Sequence, residues 1–405
     1  MSHAKVTELA YTDETLATLD LPNGTLRVTR GLGSGLTRRA GDPPGRVWAI
    51  GDRGPNLKMP LAIDRYGMDL GAHADTPGAK LMPCPEIGPA ITELHVGDHK
   101  VTVRRTLPLR AADGRTLSGL PPAGTDARAA EPAIDPDGRI LPPDPGGADT
   151  ESIAITPGGG FWVGEEYGPS LLRLDADGTV LTRWVPAGTE ALFAGAGYPI
   201  VGALPALAAR RRLNRGFEGL ALSPDGTRLH VAFQSPLAHP DEDAGRHARH
   251  VRLWTLDATS GALLAERLYP LDRPRSFDRD RAQGDVDRAD VKLCDLTLTN
   301  DGRLIVLERV SASAKLYAVS LDEASILDPS WSDPTTTPTL EQLSADDALD
   351  LPVLAKTLLF STDDHPEIGA DIEGIALLDD RTILLVNDND FGVEGAPTRF
   401  WRIAL

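Results

Sequence analysis

Short apolar runs closed by polar turns dominate the pattern of the chain. The clearest case is Asp371 to Gly392, where Ile375 to Leu378 and Ile383 to Val386 flank a polar turn at Asp379-Asp380. Asp371-Ile372-Glu373-Gly374 opens the stretch and Asn387-Asp388-Asn389-Asp390 ends it. Runs of this length with such a turn read as two buried strands of a hairpin, whose open ends share one rim. The design recurs four more times. It appears at Ser34-Gly35-Leu36 with Asp52-Arg53-Gly54-Pro55, at Asp149-Thr150-Glu151-Ser152 with Glu165-Glu166-Tyr167, at Gly216-Phe217-Glu218-Gly219 with Gln234-Ser235, and at Cys294-Asp295 with Glu308-Arg309.

The intervals between opening acid and closing polar residue are 14 (Glu151 to Glu165), 16 (Glu218 to Gln234), 13 (Asp295 to Glu308) and 14 (Glu373 to Asn387). Ser34 stands in the acid's place in the first repeat, with Asp52 lying 18 further on. Repeat starts lie 117, 67, 77 and 78 residues apart, which suits a unit of four short strands, a propeller blade. Dividing 405 residues by such a unit predicts an all-β propeller of six blades in a single domain over residues 1–405. One degenerate blade would lie in the longest interval. Residues 14–30, a hairpin turning at Pro22-Asn23-Gly24, are expected to pair with the C-terminal blade and close the ring. Residues 111–150 read as a long surface loop, and residues 188–214 as a helical insertion around ALPALAARRRLN.

Forty glycines and 33 prolines fit a fold rich in turns. A formal charge of -18 excludes nucleic acid and anionic membrane as natural partners. Two cysteines, Cys84 and Cys294, make no disulfide framework and have no metal-site spacing. No stretch approaches the length of a membrane span, and the first residues hold no apolar leader core. As written, the chain is expected to be a cytoplasmic monomer, or secreted or periplasmic if a leader has been removed.

In a propeller the first strand of each blade runs along the axis, so Glu151, Glu218, Asp295 and Glu373 are expected to ring the channel mouth. Glu165, Glu166, Gln234, Glu308, Asn387 and Asp388 would form a second ring. Converging carboxylates cannot all stay ionised alone; they are held by a cation, paired with Arg or partly protonated. With oxygen donors alone the expected ion is Ca2+, ahead of Mg2+ or Mn2+. The expected metal ligands are Glu151, Glu218, Asp295, Glu373, Asn387 and Asp388. Alternation along an extended run lets only two of the four residues 387–390 share a site; Asn387 and Asp388 are expected there, with Asp390 a turn former. Arg53, Arg215 and Arg309 stand beside the acids and could clamp an anion. Glu165 or Glu166 is the expected general base. No nucleophile-elbow motif is present.

Five stretches in order, Ser34-Gly35-Leu36 with Asp52-Arg53-Gly54-Pro55, DTESIA with GEEYGPSLLR, NRGFEGLALSPDG, GRLIVLER, and DIEGIALL with VNDNDFG, resemble the phytase-like propeller family described as having esterase-like activity of phytase. The resemblance runs from about residue 31 to the C-terminus. It implies a β-propeller and, by name, hydrolysis of esters, phosphate esters among them. The residues themselves make Glu165, Glu166, Arg53 and Arg309 the expected catalytic groups, acting on a small anionic ester. A sugar lactonase on the same scaffold and a non-catalytic binding propeller are the rival readings.

Overall fold

The computed structural model describes residues 4–39, 41–124, 131–344 and 350–405. Five antiparallel sheets carry the chain, each opening on one of the five recurring stretches. The first blade holds Gly35–Thr37, Arg46–Ile50, Ala90–Val96 and Val101–Pro108. The second holds Thr150–Ile155, Phe161–Glu165, Ser170–Leu174 and Val180–Pro186, and Ile200–Leu204 adds a fifth strand in parallel. The third holds Phe217–Leu222, Arg228–Phe233, His250–Asp257 and Leu263–Pro270. The fourth holds Lys292–Leu298, Leu304–Arg309, Ala314–Val319 and Lys356–Ser361. The fifth combines Ile372–Asp379, Thr382–Asn387 and Phe400–Ala404 with Lys5–Leu9 from the other end of the chain.

The first strand of each blade touches the first strand of the next, from Gly35–Thr37 round to Ile372–Asp379 and back. These strands are buried on both faces, which is why their apolar runs are continuous rather than alternating. All six residues of Thr150–Ile155 are buried. The core lies in layers between blades. Trp48, Ile50, Ile153 and Phe161 fill one layer, and Cys294, Leu307, Ile375 and Trp401 fill another.

Three expectations change. Among the described residues five such sheets are present rather than six. The long interval after the first stretch holds no extra blade. It holds a small sheet of Leu57–Lys58, Lys80–Leu81 and Ala133–Ile134 together with ordered loop, because runs of two residues cannot build a four-stranded unit. The partner of the C-terminal strand is Lys5–Leu9, whereas Thr15–Leu21 and Gly24–Thr29 pair only with each other. Residues 188–214 form no α-helix. Short 3-10 turns at Glu190–Phe193 and Ala206–Arg210 flank the strand Ile200–Leu204. Pro199 and Pro205 break the helical pattern that the alanines suggest.

The described parts of 111–150 pack against the mouth rather than lying free. Leu117, Glu131 and Ile134 are buried, and residues 125–130 of that loop lie outside the described residues.

Candidate functional site: the carboxylate mouth

In the second to fifth blades the second strand pairs with the first across a shift of register. The shift skips Glu151 between Thr150 and Ser152, Glu218 between Phe217 and Gly219, and Glu373 between Ile372 and Gly374. The acid is thus the extra residue of a β-bulge, a device that re-aims a side chain out of the ladder. Glycine follows the bulge where space is tightest. A Cβ on Gly219 would stand 2.6 Å from the Leu296 side chain, and one on Gly374 2.6 Å from that of Val386.

In the fourth blade the skipped residue is Cys294, between Leu293 and Asp295. Asp295 therefore occupies the position of Gly219 and Gly374, one residue late, and faces the opposite way. Its Oδ2 accepts the backbone N–H of Ile375 at 2.8 Å and of Leu36 at 3.3 Å, and its Oδ1 that of Leu296 at 2.8 Å. Asp295 ties three first-strand amides together inside the channel and is absent from the carboxylate groups at the mouth.

The same register relocates the outer ring. Glu165, Glu308 and Asn387 each pair with the residue before the shift, and the next residue turns to the mouth. Glu165 is fully buried in its own blade, held by Arg183 at 2.5 Å and by the Ser170 hydroxyl at 3.2 Å. Glu308 is likewise occupied by Tyr269 and Lys356. Asn387 spends its amide on backbone, accepting from Arg399 N at 2.6 Å and donating to Asp388 O and Pro397 O at 3.1 Å each. Asp52, Glu166, Gln234, Arg309 and Asp388 line the mouth instead. Counted from the bulged residues, the intervals become 15 (Glu151 to Glu166), 16 (Glu218 to Gln234), 15 (Cys294 to Arg309) and 15 (Glu373 to Asp388).

Three sets of carboxylates bring ligand oxygens within 4.8 Å of one another: Asp52 with Asp388 and Asp390, Asp52 with Asp149 and Glu151, and Glu151 with Glu166 and Glu218. Asp52 and Glu151 link them into one continuous acidic wall. Burial, then Glu218, Asp149, Asp52 and Glu166, hold the Glu151 carboxyl well above the usual range. Burial and then Glu166 do the same to Glu218. Burial, then Asp390 and Asp52, raise Asp388. For Glu166 burial outweighs the pull of Arg53, and its Oε2 accepts Gly216 N at 3.0 Å.

Two of the three arginines expected to clamp an anion are spent on carboxylates. Arg53 bonds Asp149 closely and Glu131 at 2.6 Å, donates to Asn214 Oδ1 at 2.7 Å, and lies over the Tyr167 ring at 4.8 Å. Arg309 holds Asp371 at 2.8 Å and Glu373 more closely still. That pairing takes Glu373 out of the metal-ligand sets. Gln234 donates to Glu218 and accepts from Arg215 at 2.5 Å. Beside them stands Lys292, which makes no side-chain hydrogen bond or ion pair among the described residues but feels the Glu218 carboxylate. Burial, then Arg309 and Arg215, push its ammonium down to about 8. The mouth is therefore polarised, with Arg215, Lys292 and Arg309 gathered on the far side of Glu218 from the other linked carboxylates.

Sequence reasoning missed Asp149, Asp390, Glu131 and Lys292, and placed Asp52 without assigning it a role. The period-two rule could have found one of them, because Asp149 shares a face with Glu151. Asp390 lies beyond the strand, in a turn with φ of 46°, where that rule does not reach.

A propeller-like all-β chain with a carboxylate-lined mouth is the class that this fold and site define. A family model described as "Phytase-like: Esterase-like activity of phytase" matches residues 29–391, and the chain belongs to that family. An uncharacterized secreted protein of Arthroderma benhamiae is 28% identical over 238 residues, covering 53% of this chain and 44% of its own length, so the match spans less than half of that relative. Among solved structures, the major allergen of Malassezia sympodialis has a TM-score of 0.37 at 10% identity, covering 98% of this chain and 95% of its own. A gluconolactonase of Xanthomonas campestris has 0.35 at 12%, covering 99% and 97%. The pyrroloquinoline-quinone-bound aldose sugar dehydrogenase of Streptomyces coelicolor has 0.36 at 11%, covering 100% and 99%. These likenesses are too distant to transfer an activity. No helix among the described residues is long and apolar enough to cross a membrane.

Proposed function

We propose that the chain is a metal-dependent hydrolase of phosphate or related small anionic esters, working at the carboxylate mouth. The observation that carries this reading is the linked set of carboxylates, buried at Asp52, Asp149, Glu151, Glu166 and Glu218 and reaching the surface at Asp388 and Asp390, with Lys292 and Arg215 beside Glu218. A cation would let these converging carboxylates ionise together, and all-oxygen donors suit Ca2+ ahead of Mg2+ or Mn2+. Asp52, Glu151, Glu218, Asp388 and Asp390 are the residues that would hold it. When bound, such an ion offsets substrate charge and polarises the bond to be cleaved.

The protein's own groups divide the remaining work. Lys292 and Arg215 would receive the anionic end of the substrate, because Arg53 and Arg309 are already engaged. Those two arginines position Asp149 and Glu373. Glu166 would take a proton from the attacking water, since its raised pKa brings it nearer neutral working pH and it lies on the mouth, unlike Glu165.

The test is hydrolysis of a panel of phosphomonoesters, carboxylic esters and sugar lactones, with metal analysis of the same preparation. Glu218→Gln is expected to lose bound metal and phosphoester turnover together, and Glu166→Gln to lose turnover while keeping its metal. Full turnover and full metal content in both variants would remove the reading. Activity confined to lactones would favour the lactonase alternative, and no turnover on any substrate a binding protein.

A further inference from the structure

The third blade carries a polar row on a sheet face. Arg228 and His230 alternate along its second strand, Thr255 lies opposite His230, and Ala265 lies opposite Thr255 with Arg267 two residues on. Alternation puts these side chains on one face. That face looks toward the fourth blade across a groove of about 760 Å3. The turn Ser223-Pro224-Asp225 lines the groove too, so it opens at the end of the strands remote from Glu218 and the carboxylate mouth.

Arg267 is only 5% exposed, and among the described residues no carboxylate lies within 4.0 Å of it. Its Nε donates to the Ser325 hydroxyl at 3.1 Å and to Asp322 O at 3.5 Å, one terminal nitrogen to the Thr255 hydroxyl at 3.3 Å, and the other to Leu321 O at 3.3 Å. A guanidinium does not shed its proton, and distant neutral acceptors do not offset the desolvation of a full charge. These bonds use one N–H on each nitrogen. One donor remains on each terminal nitrogen, the pair that a single carboxylate can accept side by side.

Arg228, at the exposed rim, makes no side-chain hydrogen bond or ion pair among the described residues, although Asp225 lies near enough to feel its charge. Burial, then Arg267 and Arg228, push His230 down to about 4, so it stays neutral and adds no competing charge. Leu264 and Ile326 line the groove 51% and 38% exposed, two of the six large hydrophobic side chains left exposed in the described chain. Asp225 and Glu323 at the rim disfavour a dianion. We propose that this groove binds a monocarboxylate with an apolar tail, its head on Arg267 and Arg228 and its tail along Leu264 and Ile326. The site is independent of the chemistry at the mouth.

Octanoate is the probe, titrated by calorimetry into the full chain, with octanol and inorganic phosphate as controls. Octanoate should bind and octanol should not, and phosphate should fail to displace octanoate. Arg267→Met should weaken binding roughly 10- to 100-fold, as expected for a charge-assisted pair. Arg228→Ala, at an exposed position, should weaken it about threefold. Leu264→Asp, also exposed, should weaken it through the tail. If Arg267→Met does not fold, the two surface variants decide. Absence of octanoate binding by the folded wild-type chain overturns the proposal. Equal binding of octanol, displacement by phosphate, or undiminished binding in both surface variants does so as well.

Discussion

Asp295, in the first strand of the fourth blade, accepts the backbone N–H of Ile375, in the first strand of the fifth, at 2.8 Å. With Leu36 N on the same oxygen, this one carboxylate joins three blades at the axis. Asp295→Asn would turn an NH2 group toward backbone donors. The substitution should cost about 1–3 kcal/mol, the range for leaving a buried polar group unsatisfied. Urea unfolding measures that loss, and bound metal in the folded fraction should be unchanged. Loss of metal without loss of stability would return Asp295 to the mouth.

Glu165 and Glu166 are neighbours with different work. Glu165 and Arg183 form a pair with no exposure on either side. Arg183→Met leaves a buried carboxylate unpaired and should destabilise the protein by about 3–5 kcal/mol. Glu165→Gln, if folded, should keep its rate on whichever ester the wild type cleaves. Glu166→Gln should lose about 100-fold in kcat, the scale of a general base. Comparing kcat with KM in the two variants separates the roles.

The run 387–390 divides in the same way. Asn387→Ala removes an acceptor from Arg399 N and donors to Asp388 O and Pro397 O, so the melting temperature should fall while calcium affinity holds. Asp390→Asn should do the reverse, weakening calcium roughly tenfold while leaving the melt in chelator unchanged. Calcium titration followed by thermal melts distinguishes the two.

Protonation gives a further check. Glu151, Glu218 and Asp388 are each raised well above their ordinary values, burial being the largest cause. An acid raised in the native state is protonated more often there than in the unfolded chain. The native state then binds more protons, and stability falls as pH rises through the window between the two values. In EDTA the protein should melt at a higher temperature at pH 5 than at pH 7.5, below the region near 8 where Lys292 loses its proton. Saturating calcium should flatten that slope and raise the melt by mass action. A melt that is flat with pH in EDTA and indifferent to calcium would count against a cation at the mouth.

The sequence by itself determined the repeat. Continuous apolar runs such as Ile375 to Leu378, the polar turns and the recurring Glu-Gly identified buried strands, the order of the blades and the rim where the chemistry gathers. These are local properties, fixed by burial and by the period of the strand. The tertiary structure decided register and partnership. A skipped residue near the start of the first strand in four blades makes Glu151, Glu218 and Glu373 bulged, puts Cys294 in the equivalent position and turns Asp295 away. No interval counted along the chain displays a bulge, because the extra residue is defined only by what the partner strand leaves unpaired. In the same way Arg53 and Arg309 read as free cations beside acids until the fold brought Glu131, Asp149 and Asp371 against them. Which charges at the mouth are spent depends on residues up to about a hundred positions away, and only the folded chain sets those distances.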